Sequence, residues 1–322
     1  MFLPTTIREV RERGWDALDV ILFTGDAYVD HPSFGAAVIG RLLEAEGYRV
    51  AVVPQPNWQD DLRDFRKLGT PRLFFGVTAG AMDSLVNHYT ANLRLRSNDA
   101  YTPGGKAGFR PDRAVEVYTR ILKRLFPRVP VVIGGIEASL RRLTHYDYWS
   151  DALRPPILVT SGADLLIYGM GDGVVERVAR AMHNGYNAKL LRNIPQVGFL
   201  ADSSYVGRLD PARTIRLRSF EECTADPRAM GDNFTVIETQ SNLMEPTATL
   251  VEPAGDRFMV LTPPLSAAEA GDLDRSFDLP YERAPHPRYA GRGAIPAWEM
   301  IKHSVNICLL YTSPSPRDGL LS

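Results

Sequence analysis

The sequence has 322 residues, a mass of 35.8 kDa and a net charge of −1, from 37 Lys and Arg against 38 Asp and Glu. This balance argues against an electrostatic nucleic-acid binder, which usually carries a basic excess. No apolar run approaches the roughly 20 residues of a membrane span, and the start, Met1 to Pro4, lacks the features of a signal peptide. A cytoplasmic protein is therefore expected, with two domains favoured at roughly 150 residues each.

Cysteine content limits the chemistry that the chain can support. Its two cysteines, Cys223 and Cys308, exclude a disulfide framework. They also exclude a self-contained zinc site or iron–sulfur cluster that uses three or four cysteines.

Five short apolar runs alternate with helical patterns in the first part of the chain. Each is rich in β-branched or aromatic residues, as expected of strands that are buried on both faces of a parallel sheet. The runs are residues 19–23, 49–53, 72–77, 129–133 and 164–168. Strand–helix alternation implies right-handed crossovers, so the sequence predicts a doubly wound, mostly parallel α/β sheet of Rossmann-like type.

Three amphipathic helices are predicted between these strands. The first ends at Gly47, which suits a left-handed cap; the second begins at Pro111; and Asp172 caps the third. Their inward faces are Phe34, Val38, Leu42 and Ala45; Ala114, Tyr118, Ile121 and Leu125; and Val174, Val178 and Met182.

Four glycine-bearing loops are predicted beyond the carboxyl ends of the strands, where such sheets bind their ligands. They are residues 25–28, 78–80, 134–137 and 169–172. Glycine permits close approach of the backbone to a ligand; alternatively, these glycines only make tight strand-to-helix turns. The candidates for ligand or cofactor contact are Asp26, Tyr28, His31, Gly134, Gly135, Glu137, Gly169 and Gly171.

A carboxylate–histidine group follows the first predicted strand. Asp26, Asp30 and His31 are residue types that bind metals or transfer protons. The alternative is that Asp30 or Ser33 caps the following helix and that His31 packs at its start.

A second polar group follows the Gly134–Gly135 turn. Glu137, Arg141 and His145 are spaced four apart and would share one face of a helix, as a salt-linked structural row or as a polar pocket wall. The aromatic residues at 146–149 are interpreted as a packing anchor, because no basic patch accompanies them as a base-stacking site would require.

The segment 81–110 is long and polar, and loops of this length are often functional. A phosphate-binding loop around Lys106 is excluded, because Ala100 and Ala107 stand where the motif needs Gly and Ser or Thr. A glycine-rich turn and a basic lid over a site stay open. The sequence also contains no Gly-x-Ser-x-Gly elbow and no His-Glu-x-x-His motif.

The chain changes character after residue 190. Residues 191–280 are predicted as a small α+β insertion, with a helix at 219–241 and a hairpin of 247–251 with 257–261. Residues 281–307 are a connector that ends in a strand near 303–307. Residues 308–322 show no structural period and resemble translated adaptor sequence, so we interpret them as a non-native tail and expect the natural protein to continue beyond Ile307.

Several long strings resemble the YgiQ-type radical SAM proteins, and the similarity runs from residue 1 to about residue 307. The strings are MFLPTT at the start, WDALDVILFTGDAYVDHPSFGAAVIGRLLEAEGYRVAVVPQP, TAGAMDSLVNHYTA, YTPGGKAGFRPDRA, VVIGGIEASLRRLTHYDYWSD and YGMGD. The resemblance implies that residues 1–190 form a Rossmann-like domain of the cobalamin-binding type. It does not support cobalamin bound through His31, because the usual Asp-x-His-x-x-Gly motif is absent: Asp30 and His31 are adjacent and Gly35 is offset.

The resemblance also implies a radical SAM barrel whose first strand begins near His303. In the family, a Cys-x-x-x-Cys-x-x-Cys motif there holds a 4Fe-4S cluster that cleaves S-adenosylmethionine to a 5′-deoxyadenosyl radical; the substrate is unknown. The first of these cysteines would fall near Tyr311, and Cys308 has no partner at the required spacing. We therefore expect the intact protein to be a radical SAM enzyme and this chain alone to be inactive. The alternatives are a cobalamin- or nucleotide-binding module without catalysis, and a structural domain that covers the barrel.

Overall fold

A nine-stranded sheet forms the centre of the molecule. The computed structural model describes residues 1–266 and 270–302, without the side chains of Lys189 and Ala270. Its strands are β1 (Val20–Thr24), β2 (Val29–Asp30), β3 (Val50–Pro54), β4 (Phe74–Thr78), β5 (Val131–Ile133), β6 (His145–Asp147), β7 (Ala152–Arg154), β8 (Leu165–Ile167), β9 (Val197–Ala201), β10 (Thr214–Arg216), β11 (Thr249–Ala254), β12 (Arg257–Leu261) and β13 (Ala284–Pro285).

The strand order in the large sheet is β3-β1-β4-β5-β8-β9-β12-β11-β10. The first five are parallel, and they are the five strands that the sequence predicts. The chain passes from β1 to its neighbour β3 on one side and then to β4 on the other side of β1. The direction of winding therefore reverses between β1 and β4, which is where open α/β sheets form their ligand crevice. Strands β9, β12 and β11 then continue the sheet in antiparallel fashion, and β10 is parallel to β11.

Helices cover both faces of the sheet. They are α1 (Ile7–Glu12), α2 (Gly35–Ala45), α3 (Arg63–Arg66), α4 (Ser84–His88), α5 (Ala114–Leu125), α6 (Gly135–Leu140), α7 (Ile157–Ser161), α8 (Asp172–His183), α9 (Ser203–Val206), α10 (Phe220–Ala225), α11 (Pro227–Ser241), α12 (Ala270–Phe277) and α13 (Pro296–Ile301). The three predicted helices are confirmed as α2, α5 and α8, but Ala45, predicted on the inward face of the first, is exposed at the end of α2. Two of their starts differ: α5 begins three residues after Pro111, and Asp172 is the first residue of α8 rather than a side-chain cap.

Two apolar cores lie on opposite faces of the sheet, because successive strand residues point to opposite sides. Leu22 packs with α2 and α8 on one face, and Phe23 packs with α5 on the other. This arrangement confirms the doubly wound α/β architecture.

Residues 191–280 add strands to the same sheet. The hairpin of β11 and β12 is confirmed, but β12 also pairs with β9, so the sheet has no boundary near residue 190. The predicted helix at 219–241 is two helices, α10 and α11, that meet at Asp226, which caps the second, with Pro227 as its first residue. The proposed division of the chain at residue 190 stays a prediction.

The connector returns to the carboxyl edge of the sheet. Strand β13 pairs with β2 in a separate two-stranded sheet, and the amide of Ala297 donates to the carbonyl of Ala100 at 2.8 Å. The predicted strand at 303–307 and the tail at 308–322 lie outside the described residues. In the described part of the chain, none of the helices combines the length and apolar character needed to cross a membrane.

Candidate functional site

A cavity of about 450 Å³ opens at the carboxyl edge of the parallel strands. Its floor is one face of the central strands: Leu22, Gly76, Val132 and Ile167. Its rim contains the predicted glycine loops that follow β4, β5 and β8, together with the beginnings of α2, α6 and α8. The sequence therefore predicts the correct edge, since the carboxyl ends of parallel strands meet on one side of a sheet.

The helices that begin at this cavity lack side-chain caps. The N-cap residues of α2, α6 and α8 are Phe34, Gly134 and Gly171, none of which bonds the first turn through its side chain. By contrast, α1 and α10 are capped by Thr6 and Ser219. First-turn amide groups thus lie at the mouth of the cavity without the local partners that capping side chains supply elsewhere.

Asp172 is the one charged side chain among the described residues that line the cavity. It stands in the first turn of α8, where the helix dipole favours a negative charge. Burial raises the pKa of its carboxyl group, and a hydrogen bond from Ser276 of α12 opposes that rise. The cavity is therefore mostly apolar and holds one acid.

Asp26 belongs to a buried ion cluster beside the cavity. Arg110 donates to Asp26 at 2.7 Å and lies 3.2 Å from Asp99, and all three side chains are buried. The amide of Ala81 donates to the other Asp26 oxygen at 2.6 Å. Burial raises the pKa of Asp26 to about 6, although the Arg110 charge opposes the rise. Through these contacts, Arg110 and Asp99 of the long 81–110 segment are joined to Asp26, which follows β1 at the point where the winding of the sheet reverses.

The tip of that segment lies against the connector. The amide of Gly104 donates to the carbonyl of Ala294 at 2.7 Å, and Lys106 is exposed. The described cavity lining contains no residue between Ala81 and Val132. The structure thus favours a glycine-rich turn over a basic lid.

Tyr28 and His31 are held by their own neighbours. The Tyr28 hydroxyl donates to Asp30 at 3.1 Å, and Asp30 forms a buried ion pair with Arg41 of α2. Nδ1 of His31 accepts from the amide of Ser33 at 3.1 Å, and burial lowers the pKa of the ring. Neither Asp30 nor Ser33 caps α2, contrary to the alternative left open above, because Phe34 is the N-cap.

Glu137, Arg141 and His145 do not share a helical face. Helix α6 ends at Leu140, and His145 lies in β6. Glu137 is fully buried and accepts from the amides of Ser84 at 3.0 Å and Val115 at 2.9 Å, while burial raises its pKa. Arg141 pairs with Asp83.

The structure thus separates the eight candidates. Gly134, Gly135, Gly169 and Gly171 line the cavity, whereas Asp26, Tyr28, His31 and Glu137 are not among its lining residues. Whether any of the eight contacts a cofactor stays a prediction. Ile136 and Met170 of the predicted loops form an apolar rim of the cavity together with Phe277 of α12. Sequence analysis missed Phe277, since nothing in the local sequence of α12 connects it with loops more than 100 residues away.

Comparison with known proteins places the chain in a family. The sequence model of the radical SAM N-terminal family matches residues 2–304. The chain belongs to the radical SAM N-terminal family. This membership confirms the resemblance seen in the sequence.

Three relatives of this radical SAM family member carry the general name UPF0313 protein. One from Porphyromonas gingivalis is 59% identical over 307 residues, covering 95% of this chain and 48% of that protein. One from Bacteroides thetaiotaomicron is 54% identical over 318 residues, with 95% and 50% covered, and one from Thermotoga maritima is 45% identical over 307 residues, with 95% and 52% covered. The chain spans about half the length of the curated relatives it matches.

The described residues do not fit the iron–sulfur cluster that the radical SAM family name implies. Cys223 is the one cysteine among them; it is buried, and its sulfur accepts from Asn233 at 3.3 Å. In the described ranges, no three His, Cys, Asp or Glu side chains are placed to hold a metal ion. No cluster chemistry is therefore assigned to this part of the family fold.

Proposed function

We propose that this chain is the N-terminal, ligand-binding part of a radical SAM enzyme, and that its cavity binds an apolar, uncharged organic ligand, either substrate or cofactor. The observation that carries the proposal is the apolar cavity at the carboxyl edge of the parallel strands. Ligand sites in open α/β sheets form at this edge, and the volume of about 450 Å³ falls in the range of small-molecule sites.

Charge supports an uncharged ligand over a nucleotide-like one. Phosphate sites at helix N-termini exploit free amides and a favourable dipole. Here the carboxyl group of Asp172 already stands in the first turn of α8, and the described lining contains neither Lys nor Arg. A phosphate group would therefore meet a negative charge with no cation to offset it.

The radical chemistry itself belongs to residues outside the described part of this chain. In the proposal, a 4Fe-4S cluster and S-adenosylmethionine supply the 5′-deoxyadenosyl radical in the longer protein, and this chain contributes binding and orientation. The chain alone, with two cysteines, does not assemble the cluster and is inactive. Reconstitution of the 322-residue chain with iron and sulfide tests this point, and a stable 4Fe-4S absorption spectrum would refute it.

The cavity is tested with a neutral apolar dye such as Nile red. Ala36 is half-buried and lines the cavity from the first turn of α2, so Ala36→Trp fills the space. Ala45 is exposed at the other end of the same helix, and Ala45→Trp is the matched control. We expect saturable dye binding that Ala36→Trp weakens at least about tenfold and that Ala45→Trp leaves unchanged.

Equal dye binding by both variants would refute the assignment of the cavity. A parallel titration with hydroxocobalamin tests cobalamin as the ligand. We expect no spectral change, because His31 is buried and its Nδ1 is already hydrogen-bonded to the Ser33 amide. A saturable shift in the cobalamin spectrum that Ala36→Trp abolishes would instead assign the cavity to cobalamin.

A further inference from the structure

A second cavity, of about 250 Å³, lies near the carboxyl ends of β8 and β12. It shares no lining residue with the first cavity. Its walls come from the segment after α6, the ends of β8 and α11, the loop that leads into β11, and the residues that follow β12. Apolar side chains supply most of these walls: Leu243, Met244, Pro246, Leu250, Leu261, Pro264 and Leu265.

Arg142 is the positively charged side chain in the lining of this second cavity. Its Nη1 donates to the carbonyl of Ser139 at 2.7 Å, and its guanidinium carbon lies 5.6 Å from the centre of the Tyr168 ring. In the described part of the chain, no carboxylate forms an ion pair with it, and burial lowers its pKa. Two titratable groups act on the pKa of Arg142: Tyr168, whose phenol is neutral, and, more weakly, the acid Glu238.

Arg142 is half-buried, and the two fully buried arginines of this fold are each matched with a carboxylate. Arg41 pairs with Asp30, and Arg110 pairs with Asp26. A guanidinium group that loses water without gaining a counter-charge is costly. A bound anion would therefore supply the counter-charge that Arg142 lacks among the described residues.

Gln240, at the end of α11, and Tyr168 also line the second cavity. Oε1 of Gln240 is buried and has no hydrogen-bond partner among the described groups. The hydroxyl of Tyr168 is already used, since it donates to the carbonyl of Thr262. Arg142 is therefore the one charged side chain that the described lining of this cavity offers to a ligand.

We propose that the second cavity binds a small organic monocarboxylate. The carboxylate group pairs with Arg142, and the apolar body packs against Leu243, Met244 and Leu250. A volume below the usual 300 to 1,000 Å³ of drug-sized sites limits the ligand to a small acid. One cation with a glutamate nearby favours a single negative charge over a phosphate dianion. This inference does not depend on the function proposed for the first cavity.

Benzoate is a suitable probe, with benzamide as its uncharged isostere and inorganic phosphate as the competing anion. Binding to the 322-residue chain is measured by titration calorimetry or by ligand-observed NMR. We expect benzoate to bind saturably and at least tenfold more tightly than either benzamide or phosphate. Arg142→Gln is expected to weaken benzoate binding at least tenfold.

Arg192→Gln is the matched control. Arg192 also lies over aromatic rings, at 4.6 Å from the centre of Tyr205, but it lines neither cavity. We expect this variant to bind benzoate as the parent does. If Arg142→Gln fails to fold, Leu243→Trp, which fills the cavity from its exposed side, is expected to abolish binding instead. Equal binding of benzamide and benzoate, tighter binding of phosphate, or undiminished binding by the cavity variants would overturn the proposal.

Discussion

Glu252 is a fully buried acid without a basic partner, and its ionisation makes the stability of the fold depend on pH. It lies in β11, where the amide of Thr144 donates to its carboxyl group at 3.0 Å and the Thr144 hydroxyl also donates to it. In the described part of the chain, no basic group is among those that shift its pKa. Burial raises its pKa to about 7, and the hydrogen bonds from Thr144 oppose the rise only in part.

The size of the effect follows from the pKa of Glu252. An unfolded glutamate has a pKa near 4.3, so the shift corresponds to roughly 3 to 4 kcal/mol at about 1.36 kcal/mol per unit. Because the folded-state pKa is the higher one, the folded chain binds more protons between these values. The free energy of unfolding therefore falls as pH rises from about 4.3 through 7, and the full cost is present above that range.

The perturbation is Glu252→Gln, which keeps the shape of the side chain and removes its charge. Denaturant unfolding of parent and variant is measured at pH 5 and at pH 8. We expect the variant to be more stable by about 1 kcal/mol at pH 5 and by about 3 to 4 kcal/mol at pH 8. Glu245→Gln, at an exposed glutamate just before β11, is the control. Its free energy of unfolding is expected to stay close to that of the parent at both pH values.

A stability difference that does not change with pH would refute this reasoning. A variant that is destabilised more at pH 8 than at pH 5 would show that the hydrogen bonds from Thr144 outweigh burial and keep the carboxylate ionised.

Three further predictions concern stability and reactivity. Arg110→Met is expected to lower the free energy of unfolding by about 3 to 5 kcal/mol, because it leaves Asp26 buried without its cation; a denaturant melt close to the parent would contradict this. Gly135→Ala should cost more than about 1 kcal/mol, since φ is +81° and a Cβ would lie 2.5 Å from a threonine hydroxyl, whereas Gly171→Ala should cost less than half of that; comparable losses would count against it. Burial raises the pKa of Cys223 to about 11, so, in a variant whose other cysteine is serine, a thiol reagent at pH 8 should label the folded chain far more slowly than the unfolded chain; equal rates would refute this.

The two proposed sites differ in charge, and this difference makes them separable in experiments. The first cavity contains Asp172 and no cation among its described residues, whereas the second contains Arg142. A neutral dye and a small carboxylate therefore report on different cavities. Ala36→Trp is expected to affect only the dye, and Arg142→Gln only the carboxylate.

Local sequence patterns determined the strands, the helices and the edge of the sheet where the first cavity lies. Buried parallel strands need continuous apolar runs, helices need apolar residues at a period of 3.6, and the strand-to-helix turns carry the glycines. The carboxyl ends of parallel strands then meet at one edge whatever the order of the strands. The apolar runs at residues 19–23 and 129–133, for example, correspond to β1 (Val20–Thr24) and β5 (Val131–Ile133).

Only the tertiary structure decided what the polar residues near that edge do. Asp26 meets Arg110 from 84 residues away, and the amide of Tyr28 donates to the hydroxyl of Tyr289 from 261 residues away. The hairpin of β11 and β12 likewise joins the main sheet through the pairing of β12 with β9. Short-range periodicity carries no record of such distant partners, because a side chain packs against whichever segment the whole chain brings beside it. The same limit applies to Glu252, whose burial against Thr144 no local pattern reveals.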